Sequence, residues 1–162
     1  MAKRVVTKIG DIFCAEINGE FKRFFQYIVI DSTMLNSSTI RAFRKHYPMD
    51  YIVNPEEIVQ DEVDFYAHTV LRAGIVYEAW YKVGKSNNVG DYSHVVFRVD
   101  GDLDPVEVSY DWYVWHINKP MKHVGKLPLK YYDAELGSVK PYNEIVSRLK
   151  LGYYTYLSPG YK

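Results

Sequence analysis

Tyr66 and His68 are the two residues of this 162-residue chain whose types and spacing best suit acid–base chemistry. Phenol and imidazole groups both transfer protons, and residues two apart on a β-strand project from the same face of a sheet. A small enzyme that uses Tyr66 and His68, with Asp64 close by in sequence, is therefore one hypothesis. Packing is the ordinary alternative, and the hypothesis requires a concave pocket that contains both side chains.

The histidines and the single cysteine do not form a recognisable metal-binding motif. No two histidines lie at the HxH or HxxxH spacing that places two imidazoles on one metal ion. Cys14 lies in an apolar segment, which predicts a buried, unreactive thiol, and one cysteine cannot form an internal disulfide. The sequence therefore predicts no metal site and no cofactor. The five histidines are His46, His68, His94, His116 and His123.

Alternate carboxylates at Asp100, Asp102 and Asp104 resemble the start of a calcium-binding loop. The rest of that pattern is absent, because Pro105 occupies the position of the required glycine and Asp111 replaces the final glutamate. We therefore expect a solvated turn. The sequence also contains no nucleophile-elbow, Walker or dinucleotide-binding glycine motif, which supports the prediction that the protein is not an enzyme.

Acidic and basic residues are segregated along the chain, although its formal net charge is zero. Residues 51–110 contain four Lys or Arg against eleven Asp or Glu, a local balance of −7, whereas the segments before and after have balances of +3 and +4. This segregation, together with abundant tyrosine and tryptophan, indicates a surface that meets another macromolecule. We expect the carboxylates to imitate phosphates toward a basic protein, with aromatic rings as anchors. The predicted contact residues are Glu57, Asp61, Glu62, Asp64, Trp80, Asp100, Asp102 and Trp112.

Two other classes of partner are less compatible with the composition. Zero net charge argues against a dedicated nucleic-acid binder, although exposed Trp and Tyr rings as stacking platforms keep a nucleic-acid-binding module as an alternative. No stretch approaches the roughly 20 apolar residues needed to span a bilayer, and Met1–Lys8 is too short and polar for a signal sequence. We therefore expect a cytoplasmic protein without membrane contact.

Alternating apolar residues and turn signals predict most of the secondary structure as β-strand. Asn18-Gly19 is typical of a primed turn and predicts a hairpin between Gly10–Ile17 and Phe21–Ile30. Val63–Trp80 fits both strand and helix spacing; strand is favoured, with a bend at Gly74. Further strands are predicted at Ser93–Val99, Val106–Ser109, Trp112–Asn118, Gly137–Val139 and Gly152–Leu157.

Three short helices are predicted from capping residues. Ser37-Ser38-Thr39 offers N-cap hydroxyls to Ile40–Arg44, and Pro55–Val59 and Pro141–Lys150 each begin with a proline at a favourable position. The predicted architecture is one α+β, mainly β domain over residues 1–162. It consists of a curved antiparallel sheet or partly open barrel with two or three short helices.

Several segments of the chain resemble the family-26 immunity proteins of bacterial polymorphic toxin systems. They are Gly10–Phe13, Phe25–Ile28, Leu35–Ser37 ahead of Ile40–Phe43, Val63–His68 and Trp112–Trp115. The likeness covers most of the chain and consists of strand and packing motifs rather than a catalytic signature. It implies a mainly β protein that neutralises a toxin encoded nearby by stoichiometric occlusion. The acidic middle of the chain suits a basic toxin, such as a nuclease.

Overall fold

The computed structural model describes residues 4–156, which form two β-sheets and three α-helices. The strands of the first sheet are β1 (Asp11–Ile17), β2 (Phe21–Asp31), β3 (Ser37–Phe43), β4 (Tyr47–Pro48), β5 (Val63–Thr69), β6 (Tyr81–Lys85) and, late in the chain, β11 (Val139–Lys140). The second sheet contains β7 (Val96–Asp100), β8 (Trp112–His116), β9 (Lys122–Gly125) and β10 (Glu135–Leu136). The helices are α1 (Pro55–Ile58), α2 (Leu71–Val76) and α3 (Tyr142–Leu151), and a 3₁₀ turn covers Leu129–Tyr131.

The predicted N-terminal hairpin is confirmed. β1 and β2 pair in antiparallel register from Ile12 opposite Gln26 to Ile17 opposite Phe21. Asn18 and Gly19 both have positive φ, at 55° and 68°, as a primed turn requires. The α1 and α3 helices are also found where proline predicted a start, and the side chain of Asn54 caps α1 by accepting a hydrogen bond from the Glu57 backbone.

The predicted helix at Ile40–Arg44 is wrong, because that segment belongs to β3 in the interior of the first sheet. β3 pairs with β2 on one side and with β5 on the other, and its residues from Thr39 to Phe43 are buried. The serines ahead of it are part of the strand and do not cap a helix. Burial on both faces of a central strand favours β structure over the local capping signal.

The segment Val63–Trp80 divides between the two structures that its pattern allowed. Its first half is strand β5, as favoured, and its second half contains helix α2. Gly74 lies inside that helix rather than at a bend, because the ring of Trp80 packs directly on it; a Cβ there would lie 1.9 Å from the indole. Only glycine leaves room for this contact.

Other predicted strands are partly displaced. Ser93–Val99 overlaps β7, Trp112–Asn118 contains β8, and Gly137–Val139 overlaps β11. Val106–Ser109 is irregular, and so are residues 152–156 of the predicted closing strand; its last residue, Leu157, lies outside the described part of the chain. The sequence patterns did not predict β4, β6, β9 or β10.

The α+β, mainly β class is confirmed, and neither sheet closes into a barrel. The first sheet has the order β11-β5-β3-β2-β1-β6, with β4 on β2, and the second has the order β10-β7-β8-β9. Most pairs are antiparallel, but β11 on β5 and β10 on β7 are parallel. Helices α2 and α3 cover one face of the first sheet around Phe25, Leu71 and Ile145. Ile28 and Val29 of β2 pack against Phe97 and Trp115 of the second sheet.

Candidate functional site

The first group of predicted contact residues, from Glu57 to Asp64, lies on and after helix α1 and is largely bound by its own protein. The hydroxyl of Tyr51 donates to Glu57 at 2.9 Å, and the hydroxyl of Tyr47 donates to Asp61 at 2.5 Å. Burial and the hydrogen bond to Asp61 raise the pKa of Tyr47. Two of these carboxylates therefore hold phenolic hydroxyls in place.

Asp64 and Glu62 have arginine partners. Arg23, which is buried, donates to Asp64 at 2.8 Å and also to the backbone carbonyl groups of Phe43 and Leu149. Arg44 lies 3.8 Å from both Asp64 and Glu62. Asp64 therefore neutralises a buried cation that ties β2 to β3 and α3, a structural role that its position in the sequence did not indicate.

The second acidic group lies on a surface projection between β7 and β8, which we call the acidic loop (residues 101–110). Every residue from 101 to 108 is exposed. Among residues 4–156, the carboxylates of Asp102, Asp104 and Glu107 have no hydrogen-bond or ion-pair partner. Asp100, at the base of the loop, is half-buried. The predicted solvated turn is thus found, and it is longer than the pattern suggested.

Four large apolar side chains of the acidic loop are exposed beside these carboxylates. Leu103 is 99% exposed, and the exposed fractions of Val106, Val108 and Tyr110 are 53%, 49% and 67%. Val106–Ser109 was predicted to be a strand, and none of these four residues was predicted to contact a partner. No sequence signal distinguished them, because valines that alternate with an acid, as in Val106-Glu107-Val108, are the pattern of a half-buried strand.

The base of the acidic loop is fixed to the second sheet. Gly101 donates to the backbone carbonyl of Asp111 at 3.0 Å, and the backbone of Asp111 donates to the Ser109 hydroxyl at 3.1 Å. The side chain of Asp111 also lies 3.0 Å from His123 on β9. The exposed residues therefore project from an anchored base.

The two acidic groups do not meet. Asp64 lines a cleft with Val95 and Val96, at the start of β7, whereas the acidic loop follows Asp100 at the end of that strand. Four residues of extended chain span about 13 Å. The partner-binding surface predicted from the sequence is thus divided into two places.

The predicted tryptophan anchors are in the core. Trp80 is 1% exposed, its indole donates to the carbonyl of Leu71 at 3.0 Å, and its ring packs edge-on against Phe25. Trp112 is 4% exposed and lies under the guanidinium of Arg98. Trp115 is 2% exposed. Burial removes Trp80 and Trp112 from any exposed contact surface and removes the tryptophans as stacking platforms for a nucleic acid.

Tyr66 and His68 do not share an accessible pocket. His68 is fully buried, with Nε2 2.9 Å from Asp31, and the indole of Trp115 donates to the same carboxylate at 2.9 Å. Burial lowers the pKa of His68. Tyr66 is half-buried and lies at the wall of the cleft that contains Asp64. His68 joins the two sheets, so the hypothesis that this pair is catalytic loses its geometric basis.

The cleft beside Tyr66 has a volume of about 350 Å³, and its inner carboxylates are already paired. Asp64 binds Arg23, and Glu135 lies 3.5 Å from Arg148 and accepts a hydrogen bond from the backbone of Tyr66. Burial raises the pKa of Glu135. The carboxylates of Asp64 and Glu135 are therefore both compensated by arginines.

Over the part of the chain that the structure describes, no three His, Cys, Asp or Glu side chains gather into a metal-binding group. Cys14 is buried in β1, as predicted, and burial raises the pKa of its thiol. Among residues 4–156, no helix has the length and apolar character needed to cross a membrane.

Comparison with known proteins identifies no relative of this chain. No protein-family model, no curated protein and no solved structure matches it.

Proposed function

We propose that the protein is a cytoplasmic binder that neutralises a cognate bacterial toxin by stoichiometric occlusion, and that the acidic loop is its contact surface. The observation that carries this proposal is the exposure of Leu103, Val106, Val108 and Tyr110 in one anchored loop. Contiguous exposed apolar side chains rimmed by polar residues mark protein-interaction sites. Their burial against a partner would supply the apolar centre of an interface.

The charge of the loop favours a basic partner. Asp102, Asp104 and Glu107 are exposed and have no partner within residues 4–156, so their field is directed into solvent. Such a field accelerates encounter with a positively charged surface and opposes association with an acidic one. A toxin that binds nucleic acid, such as a nuclease, has a surface of this kind.

The resemblance to family-26 immunity proteins supplies the toxin as the class of partner. Neutralisation requires tight binding, and nanomolar affinity corresponds to about −12 kcal/mol. An interface that achieves this uses about 20–30 residues on each side, more than the loop provides. The acidic loop is therefore one part of a larger interface.

The test uses two triple charge reversals with the same change in net charge. One is D102K/D104K/E107K in the acidic loop, and the matched control is E56K/E57K/E62K, three exposed acids near α1. The toxin encoded by the neighbouring gene is immobilised, and the association rate is measured by biolayer interferometry at low and high salt. We expect the loop variant to associate about ten- to a hundredfold more slowly at low salt, and the control to remain close to the wild type.

Growth assays with the co-expressed toxin separate the two parts of the proposal. A wild-type protein that neither binds the toxin nor rescues growth would refute neutralisation itself. If the wild type rescues growth and both triple variants associate with the toxin as fast as the wild type does, neutralisation stands and the acidic loop is not the contact surface.

A further inference from the structure

Ser138 and Lys140 form a close pair at the edge of the first sheet. Ser138 directly precedes β11 and Lys140 lies within it, and Lys140 Nζ donates to Ser138 Oγ at 2.5 Å and to the carbonyl of Leu136 at 3.4 Å. Lys140 is 1% exposed, whereas Ser138 is exposed. A reachable hydroxyl is thus bonded to a buried amine, the arrangement of an activated serine.

Burial favours the neutral form of Lys140 and lowers its pKa to about 8. The rings of Tyr154 and Tyr156, whose centroids lie 5.0 and 5.8 Å from Nζ, favour the charged form, so the lowered pKa reflects burial. A fraction of the amine is therefore unprotonated near neutral pH and able to accept a proton. The charged and titratable groups around it are Glu135 on β10, Glu144 and Arg148 on α3, His68 on β5, and the two tyrosines.

Ser138 opens into a small cleft of about 150 Å³ between the second sheet and the C-terminal segment. Val99, Trp112 and Leu136 supply apolar walls, and the guanidinium of Arg98 and the carboxylate of Asp100 line the same cleft. Tyr156 lines the cleft as well. The volume suits a group of a few heavy atoms, and the guanidinium of Arg98 favours developing negative charge there, whereas the carboxylate of Asp100 opposes it.

We propose that Ser138 is a nucleophile and Lys140 its general base in an acyl-transfer site that accepts short-chain esters. Ser138 Oγ bonds to the ester carbonyl carbon and its proton passes to the neutral Lys140 amine. The bond to the leaving alcohol breaks, and the alcohol takes that proton. Water then attacks the acyl carbon and gives a proton to Lys140, the acyl–Oγ bond breaks, and Lys140 returns that proton to Ser138 Oγ, so the carboxylic acid is released and both residues are regenerated. This activity is additional to toxin binding and does not depend on it.

The experiment uses the full-length protein and two probes, a fluorophosphonate and p-nitrophenyl acetate. We expect the fluorophosphonate to form one adduct, mapped to Ser138 by peptide mass spectrometry, and p-nitrophenyl acetate to be hydrolysed at a rate that rises between pH 7 and 9. S138A should lose both reactions, and K140M should slow them about a hundredfold at pH 8. S147A is the matched control, because the Ser147 hydroxyl donates to the backbone carbonyl of Asn143 in its own helix, and it should react like the wild type.

Absence of a Ser138 adduct on the wild type, or labelling of K140M at the wild-type rate, overturns the proposal. Thermal melting shows whether K140M retains its fold. If it does not, the wild-type pH profile decides, since a rate that stays constant from pH 7 to 9 is incompatible with Lys140 as the base.

Discussion

The two acidic segments of the chain show how similar residues take opposite roles in one fold. Near α1, Asp61 and Asp64 are bound to Tyr47 and Arg23, so their charge is used inside the protein. In the acidic loop, Asp102 and Asp104 face solvent without partners among residues 4–156. A charge imbalance read from sequence is therefore the sum of structural and surface contributions, and only the second is available to a partner.

The comparison is tested most strongly by the same conservative change in each segment. D64N leaves the buried Arg23 without its carboxylate, and we expect a loss of about 2 kcal/mol in the free energy of unfolding. D102N should change stability by less than about 0.5 kcal/mol, because the side chain of Asp102 is exposed. Urea denaturation monitored by tryptophan fluorescence measures both. Equal losses in the two variants would contradict the division into structural and surface acids.

Asp31 extends the comparison to an acid in the interior, where its partner His68 is titratable. Burial lowers the pKa of His68 in the folded protein below the ordinary value of 6.5, so the unfolded chain binds more protons in acid. The stability contribution is therefore present above pH 6.5 and is lost as pH falls below it, at no more than about 1.4 kcal/mol per pH unit.

Denaturation curves between pH 5 and 8 check this slope, with H68N as the control. The variant should lack the part of the slope that belongs to His68. A wild type that gains stability as the pH falls from 6.5 to 5 would show that the sign is wrong.

Removal of a tyrosine hydroxyl should have a smaller effect on the free energy of unfolding. Y47F removes the hydrogen bond to Asp61, and we expect it to lower the free energy of unfolding by about 1 kcal/mol. The matched variant Y110F changes an exposed tyrosine of the acidic loop and should have no measurable effect on stability. Paired thermal melts of the two variants would detect the difference, and indistinguishable melting curves would remove Asp61 from the structural group.

The smallest expected effect on the fold belongs to Leu103. Its side chain is 99% exposed, so L103S should change the free energy of unfolding by less than about 0.5 kcal/mol. The same variant should dissociate faster from the toxin, because an apolar anchor is lost from the interface. Unchanged dissociation, measured by biolayer interferometry, would leave the loop with a purely electrostatic role.

Local signals determined several elements of this protein. Asn18-Gly19 specified the hairpin turn, Asn54-Pro55 specified the start of α1, and Pro141 specified the start of α3. Each signal acts within a few residues, through backbone dihedrals or a capping hydrogen bond, so a single sequence reveals it. Alternation of apolar residues likewise revealed β7 and β8, although their ends shifted by a few residues.

The sequence by itself therefore determined the mainly β class, the hairpin, two helix starts and the segregation of charge. Tertiary structure alone decided that Ile40–Phe43 is a central strand, that Trp80 and Trp112 are core residues, and that Asp64 serves Arg23 across 41 positions of sequence. The physical reason is the separation along the chain over which each interaction acts. Turn and capping energies depend on neighbours along the chain, whereas burial and ion pairing depend on residues that only the completed fold brings together.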